Sequence, residues 1–378
     1  MSSTAPTAPT APIVMKFGGT SVRNDSSRTS AMRHVKEHFE DGKSIVIVVS
    51  AMGRKGEPYS TDTLINLLKL AGSNICPKEL DAVMSIGETL SAAYFAHFLT
   101  QNGMTAVSFD GRQAGILTDD NAGNAEILEI NPSRILSTLE EGKIAVVAGF
   151  QGANSNGDVR TLGRGGSDTS AVALAAALNA ECVEIYSDVN GIANCDPRQV
   201  INATFMDSVS ASQMLTMSDE GSKVIHPRAI QASLASKTPI IAKNTFNDCA
   251  GTIIFHGQTD GVDQVTLAHR EEMVLVEFEY AHDAGSHVNG VINIDSKRVI
   301  LKDDVYFTSR LSRLEESFGF YKVSKGWATV SVVFSAKAPE AMEISGAEVL
   351  ETPENVISYL LPETEMRGAL NTLHEAYT

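Results

Sequence analysis

The chain predicts an α/β protein, a three-layer sandwich around a mostly parallel central sheet, followed by a smaller α+β domain. Three observations carry this. Short β-branched runs ("IVMKF", "SIVIVV", "KIAVV", "CVEIY") alternate with long helical patterns over the first 255 residues. Each of these runs leads into a polar, glycine-containing loop, where ligands sit in parallel sheets. Beyond about residue 268 the alternation gives way to closely spaced strands with fewer helices.

Taken in order, "IVMKF" is a first strand and "SSRTSAMRHVKEHFEDG" a helix closed by Gly42. "SIVIVVSAMG" is a second strand ending in a loop at Ser50, and "ELDAVMSIGETLSAAYFAHFLTQNG" a long helix with Gly103 as its C-terminal cap. "KIAVVAGFQG" is a buried strand running into glycine, "SDTSAVALAAALNA" an alanine-rich helix, and "TPIIAKNTF" a late strand. The division expected is a Pro/Thr/Ala tail over 1–12, disordered for want of apolar residues, a first domain over 13–255, a linker over 256–267 and a second domain over 268–378. In the last, "MVLVEFEY", "KRVILKDDVYF" and "WATVSVVFS" read as strands and "RLSRLEESFGF" as a helix. A final strand runs into a helix in "NVISYLLPETEMRGALNTLHEAYT".

Composition excludes several classes. A formal charge of −16 over 378 residues repels phosphate backbones, so no nucleic-acid partner is expected. No run of about 18 apolar residues spans a membrane, and the opening "MSSTAPTAPTAP" lacks the basic and apolar regions of a secretory signal. Four cysteines without a CxxC pair indicate neither a disulfide framework nor a zinc site, and a cytoplasmic location is expected. Nothing points to a protein-held metal. There is no GxxxxGK[ST] loop, no HRDxxxxN loop and no GxGxxG, HExxH or GxSxG motif.

What is present is glycine beside charge. In "VMKFGGTSV", Lys16 precedes Gly18 and Gly19, and glycine weakens a strand unless something must approach the backbone. A phosphate is one candidate, an ordinary strand-ending turn the other. In "TLGRGGSDTSAVALAAALNA", Arg164 and Asp168 lie in a glycine-rich turn that opens a helix, whose N–H groups and dipole attract anions. Arg164 has the planar fork that suits a carboxylate or phosphate. Asp168 is either a helix-capping carboxylate or part of the site. "IYSDVNGIANCDPR" could present Asp188 to a ribose hydroxyl or be a surface hairpin. Lys223 in "SDEGSKVIHPRA" could meet phosphate or be solvated, whereas His226-Pro227 reads as structural. Glu88, in the apolar "MSIGETLSA", needs a partner: a substrate ammonium or an internal arginine.

Together "KFGGTSV", "VVSAMG", "SIGETLSA", "AGFQG", "TLGRGGSDTSAVALAAALNA", "YSDVNGIANCDPR" and "GSKVIHPRA" resemble, in order, the landmarks of the amino acid kinase family, and within it the aspartokinases. The resemblance covers 13 to about 255, and "GRQAGILTDDNAGNAEI" shares it. It implies the amino acid kinase fold, a C-terminal ACT-like domain, and transfer of phosphate from ATP to the β-carboxylate of L-aspartate, with Mg²⁺ carried on the ATP phosphates. This is the first step towards lysine, threonine and methionine. By position, Lys16 and Asp168 would be the catalytic pair. Lys16, Gly18, Gly19, Ser21, Ser187, Asp188, Arg198 and Lys223 would bind the nucleotide. Ser50 and Thr61, on the loop after the second strand, would help hold aspartate, with Glu88 on its ammonium and Arg164, Gly165, Gly166 and Ser167 around its α-carboxylate. Another acceptor on the same fold, such as glutamate, and a silent amino-acid-sensing subunit are the alternatives. Family members usually end in two βαββαβ modules that bind inhibitory lysine or threonine. Here each module lacks most of its first helix, which implies a dimerisation scaffold, a homodimer or larger, with weak or absent feedback inhibition.

Overall fold

Every residue of Ile13–Phe17 except Lys16 is fully buried, and the segment forms β1. The neighbouring β2 (Ile45–Val49), and beyond it the later run at 144–148, have no exposed residue, as expected of parallel strands covered on both faces. The computed structural model describes residues 11–72, 74–257, 264–280, 288, 291–303, 307–319 and 322–378. The expected tail, except for residues 11 and 12, and the middle of the expected linker lie outside the described residues. The chain packs as two units. The first holds Met1–Ile192, Met206–Ser212 and Val224–Gly257, and the second Ala193–Phe205, Gln213–Lys223 and Gln258–Thr378.

In the first unit β1 leads to α1 (Asp25–Glu40), β2, α2 (Thr61–Ala71) and α3 (Pro77–Gln101). There follow β3 (Ala106–Phe109), β4 (Ile116–Thr118), β5 (Ile127–Ile130), α4 (Ser133–Glu140), β6 (Ile144–Ala148), β7 (Gln151–Ala153) and β8 (Val159–Thr161). Then come α5 (Gly166–Ala177), β9 (Val183–Ser187), β10 (Ser208–Ser210), α6 (Ala211–Asp219), which runs on into the second unit, α7 (Pro227–Ser236), β11 (Ile240–Asn244) and β12 (Thr252–Phe255). The main sheet has the order β10-β12-β11-β9-β1-β2-β6-β3, parallel throughout except between β11 and β12. A small sheet, β5-β4-β7-β8, stands beside it.

Side-chain alternation assigns the layers. Met15 and Phe17 of β1 and Ile45, Ile47 and Val49 of β2 pack with Ala31 and Val35 of α1 and Phe95 and Leu99 of α3. The Phe17 ring stacks on Tyr186 at 4.8 Å and meets Phe95 edge-on at 5.8 Å. The opposite face of β1 and β2 is covered by α5. Lys16 lies between Met15 and Phe17, so alternation points it towards α5. The sequence expectation of a three-layer α/β sandwich is met, and the expected strands and helices of this region are present. Two glycines end helices as anticipated, Gly42 at φ 72° and Gly103 at φ 88°. Thr61 is a correction: it opens α2 instead of lying in a loop, because the Ser60 side chain accepts the Thr63 N–H and caps that helix.

The second unit is built on an antiparallel sheet of β13 (Val265–Glu277), β14 (Val291–Asn293), β15 (Arg298–Lys302), β16 (Lys322–Phe334), β17 (Glu348–Leu350) and β18 (Val356–Pro362). Their order is β14-β15-β13-β16-β18-β17. Leu314 of α8 (Phe307–Phe318) packs with Val276, Val299 and Leu301, and Leu370 and Leu373 of α9 (Met366–Tyr377) pack with Val330, Val332 and Tyr359. Residues 335–347, between β16 and β17, contain no helix. The matching stretch expected after β13 lies mostly outside the described residues.

The loop after β1 is locked by close backbone contact. Gly53 N–H donates to Gly19 O at 3.0 Å, and a Cβ at Gly19 would stand 2.6 Å from Ala51 O and 2.7 Å from Gly53 O. Two carbonyls cannot yield as a side chain would. Gly19→Ala is expected to destabilise the protein by roughly 1–3 kcal/mol, read as a melting temperature several degrees below that of the parent. An unchanged melting temperature would contradict this packing.

Candidate active site

The carboxyl ends of β1, β2 and β6 and the N-terminal end of α5 surround one cleft of about 300 Å³. Lys16 reaches it from β1 and Asp168 from the first turn of α5, with Nζ 2.7 Å from Oδ1 and each side chain about 12% exposed. Such shielding strengthens a charge pair while desolvating both members. Asp168 is set in place by the turn before it. Gly165 is left-handed at φ 70°, and a Cβ there would fall 2.2 Å from the Cβ of His226, so the turn closes directly on the start of α7. Gly18 acts differently from Gly19: an added Cβ would stand 3.8 Å from Lys16 Nζ, in the space beside the ammonium.

Ser50, Thr61, Glu88, Arg164, Gly165, Gly166 and Ser167 also line the cleft. Arg164 is exposed there and makes no ion pair among the described residues. Glu88 is 3% exposed; its Oε1 accepts the Ala51 N–H at 3.1 Å, while Oε2 is buried without a hydrogen-bond partner. Of the two partners open to it from sequence, no internal arginine is on it. Burial, only partly offset by the Ala51 N–H, pushes its carboxyl up to about 8.

The nucleotide set is more scattered. Gly19 lines the cleft with Lys16. Asp188, just past β9, bonds to Arg54 at 2.5 Å, and Arg54 itself lines the cleft. Ser187 Oγ accepts the Val189 N–H, holding the turn after β9. Ser21 is a correction: its side chain is fully buried and hydrogen-bonded to Thr245 at 2.6 Å, so it secures the loop and is not presented to a ligand. Arg198 and Lys223 belong to the second unit, where Arg198 pairs with Asp196 at 2.7 Å and Lys223 with Glu271 at 3.8 Å.

Sequence reasoning missed Arg54, Lys55, Asp62 and Phe150, all lining the cleft. "GRKGE", a basic pair between glycines after a strand, was the available signal for the first two. Phe150 gave none: its backbone is left-handed, φ 69°, between Gly149 and a Gln151 held by Ser85 O.

The family model for "Amino acid kinase family" matches residues 11–244. The chain belongs to the amino acid kinase family. Within it the relatives are aspartokinases. Aspartokinase 1 of Bacillus subtilis is 36% identical over 399 aligned positions, covering 97% of this chain and 98% of the relative. The aspartate kinase of Pseudomonas putida is 33% identical, covering 97% of each. A crystal structure of Escherichia coli aspartokinase III in complex with aspartate and ADP has the same fold, with a TM-score of 0.78 at 22% identity over 97% of this chain and 99% of that one.

In this family member Glu88 carries a pH signature. Its folded-state value near 8 lies above the ordinary 4.5, so between those values the folded chain holds a proton that the unfolded chain has released. Stability is therefore highest below the window and falls as pH rises to about 8. Glu88→Gln keeps the shape without the charge. Its melting temperature should gain on the parent between pH 5 and pH 8, and a gap independent of pH would refute the assignment.

Proposed function

We propose that the chain transfers the γ-phosphoryl group of ATP to the β-carboxylate of L-aspartate, giving 4-phospho-L-aspartate and ADP. A β-carboxylate oxygen forms the new bond to phosphorus, the bond from phosphorus to the β,γ-bridging oxygen breaks, and ADP leaves with that electron pair. The carboxylate is already ionised at neutral pH, so the step needs positioning and charge neutralisation rather than a base. The observation that carries this reading is the pairing, in one cleft, of a buried carboxylate with one oxygen unpartnered, Glu88, with an exposed guanidinium, Arg164, beside the Lys16–Asp168 pair. That set suits a ligand bearing both an ammonium and a carboxylate next to a phosphoryl group. The relatives' names, and the aspartate and ADP in the E. coli structure, support the same reading.

Glu88 takes the substrate ammonium, while Arg164 with the amides of Gly165 to Ser167 takes the α-carboxylate. Ser50 and Thr61 flank the substrate. Lys16, oriented by Asp168, meets the transferring phosphoryl beside Gly18 and Gly19, and Arg54 and Lys55 add positive charge. Asp188 and Ser187 serve the nucleotide, and Mg²⁺ arrives on the ATP phosphates as part of the substrate. The product feeds lysine, threonine and methionine synthesis.

The C-terminal unit acts as a dimerisation scaffold with little or no feedback inhibition. Supporting this, 335–347 lacks a helix.

Hydroxamate formation from MgATP with aspartate, and with glutamate as control, tests the reaction. Product from aspartate is expected, and product from glutamate alone would overturn the acceptor. Lys16→Ala should lower kcat by roughly 100- to 1,000-fold; a nearly active variant would remove Lys16 from the mechanism. The scaffold reading is tested separately, by activity against millimolar lysine, threonine and both together. Little change is expected, and strong inhibition by either would defeat it.

A further inference from the structure

The turn that carries Arg164 is short, glycine-rich and exposed at its tip, yet it must hold a guanidinium in one place. Two buried or half-buried charged groups outside the cleft converge on its back. From α7, the half-buried Arg228 donates through Nη1 to Leu162 O and, at 3.0 Å, to Asn124 Oδ1, and through Nη2 to Ala125 O at 2.9 Å. Leu162 O is the last carbonyl before Gly163 and Arg164. From α3, the fully buried Asp81 accepts the Gly123 N–H on both oxygens, at 3.0 and 3.1 Å, and the Thr161 hydroxyl at 2.5 Å.

The Asn121–Asn124 loop is thereby clamped onto the end of β8. Ala125 N–H also donates to Thr161 O at 2.9 Å. The contact is tight enough that a Cβ at Gly163 would stand 2.7 Å from Asn124 Oδ1. A planar guanidinium can satisfy three acceptors on two chain segments at once, whereas an ammonium on a flexible stem would hold them with less fixed geometry.

We infer that Arg228 is a positioning residue for substrate recognition: by tying Leu162 O to the Asn124–Ala125 segment, it fixes the turn that presents Arg164 to the substrate carboxylate. This rests on the proposed function for the identity of the substrate, and it assigns work to "HPRA" and "DDNAGNAE", motifs that the cleft itself does not use.

The test is a cycle of Arg228→Ala, Arg164→Ala and the double variant, with kinetics in aspartate and in ATP. Arg228→Ala is expected to raise the aspartate KM about 10-fold or more, as misplacement of a binding group does, while the ATP KM stays within about twofold. The double variant should match Arg164→Ala alone, since both changes remove one interaction. Fully additive effects, or equal rises in both KM values, would overturn the inference. Amide exchange, which needs no substrate, gives an independent reading. Exchange over 161–168 should accelerate in Arg228→Ala while that over 17–22 does not, and unchanged exchange at 161–168 would equally overturn it. Should Arg228→Ala fail to fold, Arg228→Lys takes its place, with smaller shifts in the same direction. A parent inactive on aspartate would sink the proposed reaction and leave the exchange result to decide the bracing.

Discussion

A lysine at the end of a buried strand has to be neutralised, and most of the cleft's architecture follows from how this is done. Lys16 cannot retreat into the sheet, where alternation surrounds it with apolar neighbours, nor reach bulk water without leaving the strand. Its partner, Asp168, comes from the first turn of α5, across the layer boundary. That single contact requires α5 to begin where β1 ends, which in turn requires a turn compact enough for left-handed glycine. The helix dipole adds to the arrangement, since its N-terminal end favours the carboxylate and any further anion. On the proposed function, an incoming phosphoryl group would meet a cation whose position is already fixed, which leaves little to reorganise.

The opposite side of the cleft follows another logic. Glu88 is buried, and one of its oxygens has no donor. A carboxylate in that setting is costly when charged and tolerable when protonated. The site thus stores an electrostatic demand that a bound ammonium would meet. Substrate recognition would then be linked to proton release, because the ammonium stabilises the ionised form that burial opposes.

How much of this was legible beforehand depended on the kind of signal. The parallel core was plain, since the short β-branched runs "IVMKF", "SIVIVV" and "KIAVV" alternate with long helical patterns, as strands covered on both faces do. The residues lining the cleft were legible as glycine beside charge, but residue type alone left open whether Lys16, Asp168 and Glu88 were structural, and only the family resemblance gave them roles. The two adjacent glycines looked alike in sequence yet differ in space: Gly18 leaves room beside the ammonium, while Gly19 is pressed between carbonyls. Ser21 was misjudged because a hydroxyl in a glycine loop reads the same whether it faces a ligand or a buried threonine, and only the return of the chain at Thr245 separates the two. Arg54 and Phe150 depend on loop geometry, to which no periodicity applies. Arg228 was hidden for a related reason, since its three acceptors come from segments more than sixty residues away along the chain.

The path of the chain between its two units carries one more consequence. The stretches at 193–205 and 213–223 leave the first unit and return, and Cys195 and Val200 are buried against Leu267, Val330 and Leu370 of the second. A polypeptide stopped at Gly257 would keep those side chains and lose everything that shelters them. No single cut separates the halves without tearing a core open. Loss or exchange of the C-terminal half at that point would carry the cost of exposing those side chains.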